Sequence, residues 1–183
     1  VSGNFKASYN LKLLTDTYDH NSLGYLRKNN ELNHRMYLDY GMYEPSGNIL
    51  NWNGSLAFEY NNLYKPRKFS DFNIQGNYRL TFTNHLYVGS GFTYRPSEKH
   101  DFFEPRVEGK VFDRPEYFDG NIWISTDYRK PLAIDLRTGY NSEFGAGYFY
   151  SVSPRIRIGD KLLIVYEFRY DKQKNEKGYV THF

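Results

Sequence analysis

The sequence predicts an all-β fold, an antiparallel up-and-down transmembrane barrel of which about ten strands lie within these 183 residues. The prediction starts from one hairpin, Tyr148 to Asp171, whose arms alternate strictly and meet at the tight-turn pair Gly159-Asp160. One of its faces carries no charge: Tyr148, Tyr150, Val152, Pro154, Ile156 and Ile158 on the first arm, then Leu162, Ile164, Tyr166, Phe168 and Tyr170. The other face holds Ser151, Ser153, Arg155, Arg157, Glu167, Arg169 and Asp171, and it is wet. The rings of the apolar face sit away from the turn and the aliphatic side chains near it, as a lipid headgroup boundary favours.

Composition is the second observation. Aromatic residues make up 19% of the chain while the mean hydropathy is only -0.76. A transmembrane barrel needs apolar residues at alternate positions only, so its average looks soluble while its girdles enrich Tyr, Phe and Trp. The third observation is charge. At a charged fraction of 25%, about 12 of roughly 48 outward positions over nine strands should be Asp, Glu, Lys or Arg by chance, and none is. A charge on the lipid face near the midplane costs roughly 2 to 4 kcal/mol, enough to exclude it. A soluble sandwich alternates too, but its crossovers have no reason to produce alternating long and short connections. Here the short ones are expected near Pro45, Asn84, Lys130 and Asp160, with long ones between them.

Each strand follows from its period. The first, Asn4 to Leu14, sets Phe5, Ala7, Tyr9, Leu11 and Leu13 against Lys6, Ser8, Asn10 and Lys12, and a polar loop follows over Thr15 to Asn30. Strand two turns Leu32, His34, Met36, Leu38, Tyr40 and Met42 outward and closes at Glu44-Pro45-Ser46-Gly47. Strand three returns with Leu50, Trp52, Gly54, Leu56, Phe58 and Tyr60. After the basic loop Lys65 to Lys68, strand four places Phe72, Ile74, Gly76, Tyr78, Leu80 and Phe82 outward. Strand five offers Leu86, Val88, Ser90, Phe92 and Tyr94, and Gly89 and Gly91 opposite them mark a bend or a close neighbour.

The longest connection, Pro96 to Asp119, is charged and carries a short strand of its own in Arg106 to Phe112. Strand six shows Ile122, Ile124, Thr126 and Tyr128 opposite Trp123, Ser125 and Asp127, then turns at Arg129-Lys130-Pro131. Strand seven has Leu132, Ile134, Leu136, Thr138 and Tyr140 outward. The opening hairpin, a polar loop Lys172 to Gly178 and a truncated tenth strand from Tyr179 complete a single segment, 1–183. The start at Val1-Ser2-Gly3 is neither a signal peptide nor an initiator methionine, so a processed or longer parent chain is expected.

The chain has no cysteine, which removes thiol nucleophiles, thiolate metal sites and disulfides. A net charge of +3, scattered along the chain, gives no footprint for nucleic acid. No metalloprotease His pair, nucleophile elbow or phosphate loop is present, so no catalytic residue, metal or cofactor is nominated. Asp16 and Asp19 lack the spacing of a calcium loop, and Asn53-Gly54-Ser55 is a chance glycosylation match inside a strand.

Three stretches carry a family resemblance. Tyr18-Asp19-His20-Asn21-Ser22-Leu23-Gly24-Tyr25-Leu26-Arg27-Lys28-Asn29-Asn30-Glu31 resembles a Tyr-Asp-Pro-Asn-Asp-Leu-Gly-Phe-Leu-Arg-Arg-Asn-Asn-Glu segment in a family of uncharacterised Bacteroidota outer-membrane proteins. It departs from that segment at His20 and Ser22. Glu104-Pro105-Arg106-Val107 with Gly109 and Phe112 is similar to a second family signature, and Ser125 to Leu132 with Tyr150 to Pro154 to a third. The resemblance implies a carboxy-terminal barrel preceded by a module similar to family 9 carbohydrate-binding modules. It also implies a wall that continues past Phe183. It marks Tyr18, Asp19, Asn21, Leu23, Gly24, Glu104 and Arg106 as extracellular loop candidates.

The inward charges form the other candidate set: Arg35, Asp39, Glu59, Arg79, Arg95, Asp127, Asp135, Arg137, Arg155, Arg157, Glu167 and Arg169. One expectation for them is a ladder paired across neighbouring strands; the sharper one is a selective pore. The functional expectation is an integral outer-membrane protein of a Gram-negative bacterium, a surface anchor or pore associated with glycan binding or uptake. The alternative is a non-conducting scaffold or accessory subunit of a secretion or assembly complex. The partners implied are outer-membrane lipid, a glycan and other outer-membrane proteins.

Overall fold

A computed structural model describes residues 4–18, 29–105, 107, 109–143 and 145–174. They form an all-β, antiparallel, up-and-down sheet. Its strands are β1 (Phe5–Leu14), β2 (Glu31–Met42), β3 (Ile49–Leu63), β4 (Phe69–Phe82), β5 (Tyr87–Arg95), β8 (Tyr117–Ser125), β9 (Leu132–Asn141), β10 (Gly147–Ile158), β11 (Leu162–Val165) and β12 (Phe168–Lys172). Order in the sheet follows order in the chain, and β6 (Lys99–Asp101) with β7 (Phe112–Arg114) makes a separate two-stranded hairpin. Among the described residues the sheet is open, with β1 at one edge and β11 and β12, both paired to β10, at the other.

The expected faces hold across the paired strands, but Tyr128, expected outward, lies beyond the end of β8 with its hydroxyl on Asp135 of the polar face. Register pairs Tyr9 with Met36, Met36 with Phe58, Phe58 with Ile74, Ile74 with Tyr94 and Tyr94 with Phe118, so one side stays apolar from strand to strand. The same holds through Leu136 against Val152 and Val152 against Phe168. That side is open: Phe5, Tyr9, Ile122, Tyr150, Ile156 and Phe168 are all exposed, and the two-stranded hairpin is the only second sheet among the described residues. The polar side is the crowded one, for Ala57, Ala133 and Ser151 are 4%, 2% and 4% exposed. Burial is therefore inverted relative to a sheet packed on an apolar core.

Aromatic side chains of the apolar face gather toward the two ends of the strands. Tyr40, Trp52 and Tyr78 are in ring contact at 5.3 and 5.9 Å near the β2–β3 turn. At the opposite end Phe92, Phe118 and Tyr140 form a chain at 6.5 and 6.4 Å, and Tyr148 meets Tyr170 at 6.4 Å. His34 lies on this face between Tyr9, whose hydroxyl is 2.7 Å from its Nδ1, and the ring of Tyr60 at 6.4 Å. It has ring partners and a hydrogen bond of its own.

Several expectations are corrected. Of the short strand placed over Arg106 to Phe112, Phe112 alone among the described residues is in a strand, as the first residue of β7; β6 and β7 pair, Lys99 with Arg114 and Asp101 with Phe112. The sixth long strand, β8, begins at Tyr117 and ends at Ser125, because the edge of β5 pairs all the way from Tyr87 to Arg95. Long and short connections do not alternate cleanly. Residues 15–30 and 96–116 are long, but 64–68 and 142–146 are as short as the turns at 43–48 and 126–131; at 64–68 this is because β3 and β4 run further than their apolar periods suggest. The truncated tenth strand from Tyr179 lies outside the described residues.

Candidate functional site

The end of the sheet bearing connections 15–30, 64–68, 96–116 and 142–146, here the loop end, carries the densest polar cluster. Arg95, the last residue of β5, is 8% exposed and Asp71, near the start of β4, is 6% exposed. Arg95 Nε lies 3.1 Å from Asp71 Oδ1 without hydrogen-bond alignment, so the pair is ionic. The second Asp71 oxygen accepts from Asn73 Nδ2 at 2.5 Å. Arg95 also reaches Glu143 at 3.5 Å and lies over the ring of Tyr117 at 5.2 Å. Arg114 of β7 meets the same Glu143 at 3.5 Å. Two guanidinium groups thus face two carboxylates, and the balance is what lets them be buried together.

This cluster anchors the β6–β7 hairpin. Ser70 Oγ donates to the His100 carbonyl at 3.0 Å, and Phe69 stacks edge-on against His100 at 6.1 Å. With Arg114 held by Glu143, the hairpin is tied to both β4 and the β9–β10 connection. Within it, the Asp101 carboxylate accepts from the backbone N–H groups of Phe103 and Glu104, each at 3.1 Å. A second clamp joins two other connections: the Asn30 amide donates to the Lys65 carbonyl and its oxygen accepts the Lys65 N–H, both at 2.7 Å.

Below the cluster, the polar face carries two adjacent cross-strand rows. Register sets Asn53, Arg79, Gly89, Trp123, Arg137, Ser151 and Arg169 side by side in one, from β3 to β12. The next row toward the loop end reads Ser55, Asn77, Gly91, Asn121, Gly139, Phe149 and Asp171. The glycines seat the rings. A Cβ on Gly89 would lie 2.1 Å from the Trp123 indole and one on Gly139 2.3 Å from the Phe149 ring, so both aromatics lie down over the neighbouring strand. Arg169 covers Phe149 at 4.4 Å and holds Asp171 through two bonds of 2.8 Å. A cavity of about 330 Å³ opens between Asn121, Trp123, Arg137, Phe149 and Arg169.

The predicted inward residues divide into three groups. Arg35 pairs with Glu59 at 3.1 Å, Arg155 with Asp135 at 3.8 Å, and Arg95 with Asp71, so the expected cross-strand ladder exists in part. Arg79, Arg137 and Arg157 have no ion-pair partner among the described residues, and Asp39 lies opposite Lys6 and Ser55 on the same face. Glu167 falls in the interruption between β11 and β12. Asp127 is a correction: it sits in the β8–β9 turn, buried, because its carboxylate accepts from Arg129 Nε, Nη2 and backbone N–H at 2.9, 2.8 and 3.0 Å. Those bonds, the guanidinium ones first, hold its carboxyl well below the usual carboxylate range and raise the Arg129 guanidinium. Beside it, Tyr128 donates to Asp135 and lies under Arg155 at 4.5 Å; burial, then that carboxylate, pushes its hydroxyl up.

Of the loop candidates, Tyr18 is exposed and Glu104 is part of the Asp101 turn. Asp19, Asn21, Leu23, Gly24 and Arg106 lie outside the described residues. Sequence reading missed Asp71, Arg114, Glu143, Trp123 and Phe149. The lone tryptophan on a polar face and the Gly89, Gly91 pair were the available signal for Trp123. No curated protein and no solved structure matches the chain. The family model described as Domain of unknown function (DUF5916) matches residues 1–183, and the chain belongs to that family.

Proposed function

We propose that this sheet is part of the wall of an outer-membrane β-barrel, with its apolar side against lipid and its polar side lining a water-filled lumen. The single observation behind this reading is that one face stays uncharged and largely open from β1 to β12, while the other is polar and holds closely packed small residues such as Ala57, Ala133 and Ser151. In water that arrangement would leave an apolar patch far larger than a monomer tolerates. In lipid it is the required one. The strands β1 to β5 and β8 to β10, of 9 to 15 residues each, meet the span of a hydrocarbon core, and aromatic clusters at both ends suit its two boundaries. On this reading the loop end faces the cell exterior and the protein serves as a surface anchor and pore for glycan-associated uptake.

The absence of cysteine allows a clean test of the wall. In native membranes a water-soluble maleimide is expected to label Asn121→Cys and not Ile122→Cys, which face opposite sides of β8. Equal labelling of both removes the barrel reading. Reconstitution in planar bilayers tests the pore, and a silent membrane removes it. The hairpin tied across the loop end favours a second reading, a plugged barrel that serves as scaffold or accessory subunit of an outer-membrane complex. Co-purification with a stoichiometric partner would support it.

A further inference from the structure

We infer that the polar face carries a binding site for an acidic sugar, built on Arg137 and Trp123; the inference rests on the reading of this face as the wet side of the wall. Across β3 to β12 the row containing Trp123 has three guanidinium groups, Arg79, Arg137 and Arg169, and no carboxylate. Arg169 is engaged by Asp171. Arg137, whose row neighbours are Trp123 and Ser151, has no ion-pair partner among the described residues and lines the cavity of about 330 Å³.

A guanidinium with unused donors beside a cavity recognises carboxylate or phosphate. The floor supplies the rest. Gly89 lets the Trp123 indole lie along the sheet, where it lines the cavity. A flat ring with an open face stacks on the apolar side of a pyranose. Phe149 is already capped by Arg169, so Trp123 is the platform. Asn121, two residues before Trp123 on β8 and lining the same cavity, offers an amide donor and acceptor for ring hydroxyls. An aromatic acid would prefer a drier pocket; one guanidinium with unused donors and an amide beside one ring suit a polyhydroxylated anion.

Tryptophan fluorescence reads this site directly, because the chain has two tryptophans and Trp52 is on the apolar face. In detergent, the full chain carrying Trp52→Phe is titrated with glucuronate, glucose 6-phosphate, glucose, benzoate and inorganic phosphate. A saturable change in Trp123 emission with glucuronate or glucose 6-phosphate, at concentrations where glucose gives none, is the expected result, and whichever binds tighter identifies the acid. Arg137→Gln should weaken it about tenfold or more and Arg137→Lys less. A response as strong to glucose, benzoate or bare phosphate overturns the proposal, as does one that Arg137→Gln leaves unchanged. Because binding is read without a membrane, a silent bilayer with intact sugar binding counts against the pore alone.

Discussion

Pro154 stands opposite Tyr166 in the last hairpin and accepts its N–H at 3.1 Å, but has no N–H to return. The pairs on either side, Ile156 with Ile164 and Val152 with Phe168, keep one register, so β11 and β12 are a single span broken at the proline. Pro154→Ala should close the break. The gained bond, worth about 1 kcal/mol, is offset by roughly 0.4 to 1 kcal/mol of chain entropy that proline no longer removes from the unfolded state. Stability should stay within about 0.5 kcal/mol, while hydrogen exchange shows residue 154 newly protected. An unprotected amide there would refute the account.

Gly89→Ala should cost about 1 to 3 kcal/mol, since the indole of Trp123 occupies the place of the new methyl. A red shift of Trp123 emission should accompany the loss as the ring lifts off the sheet. Gly47→Ala, with open space around it, is the control for added volume, though its φ of +56° carries its own strain.

Removing Arg95 should be worse than removing either carboxylate. Arg95→Met leaves Asp71 and Glu143 without their shared cation and should cost about 3 kcal/mol. Asp71→Asn leaves Arg95 with Glu143 and should cost less. Denaturant unfolding in detergent measures both. Hydrogen exchange should show Arg95→Met loosening the β6–β7 hairpin, which Glu143 holds through Arg114.

The β8–β9 turn should have a definite pH signature. Arg129 lowers the Asp127 carboxyl, and a group lowered on folding adds stability that is complete above its unfolded value of about 4 and is lost as pH falls toward the folded one. The gap in melting temperature between the wild type and Asp127→Asn should therefore be level from about pH 7 to 5 and shrink below about pH 4. A gap that widens in acid would have the wrong sign.

Faces were legible because side chains alternate with period two and the apolar side admits no charge, so Met36, Phe58 and Ile122 could be assigned from spacing alone. Ends were less so. β3 and β4 continue past Tyr60 and begin before Phe72 with polar residues, Asn61, Asn62 and Asp71, whose backbone pairing owes nothing to hydropathy. Asp127 looked like a strand position until Arg129, two residues on, captured its carboxylate in a turn. The Arg95 cluster draws on β4, β5, β7 and the β9–β10 connection, and no local pattern announces partners so distant in sequence. Trp123 over Gly89 is likewise a contact between strands more than thirty residues apart.

The inverted burial has an evolutionary corollary. Exposed Leu136, Ile156 and Ile164 have little packed around them and can exchange for other apolar side chains with small effect. Ala57, Ala133 and Ser151 have almost no spare room. Among descendants of this chain, the greasy side should drift freely within its class, while the small residues of the hydrophilic side change least.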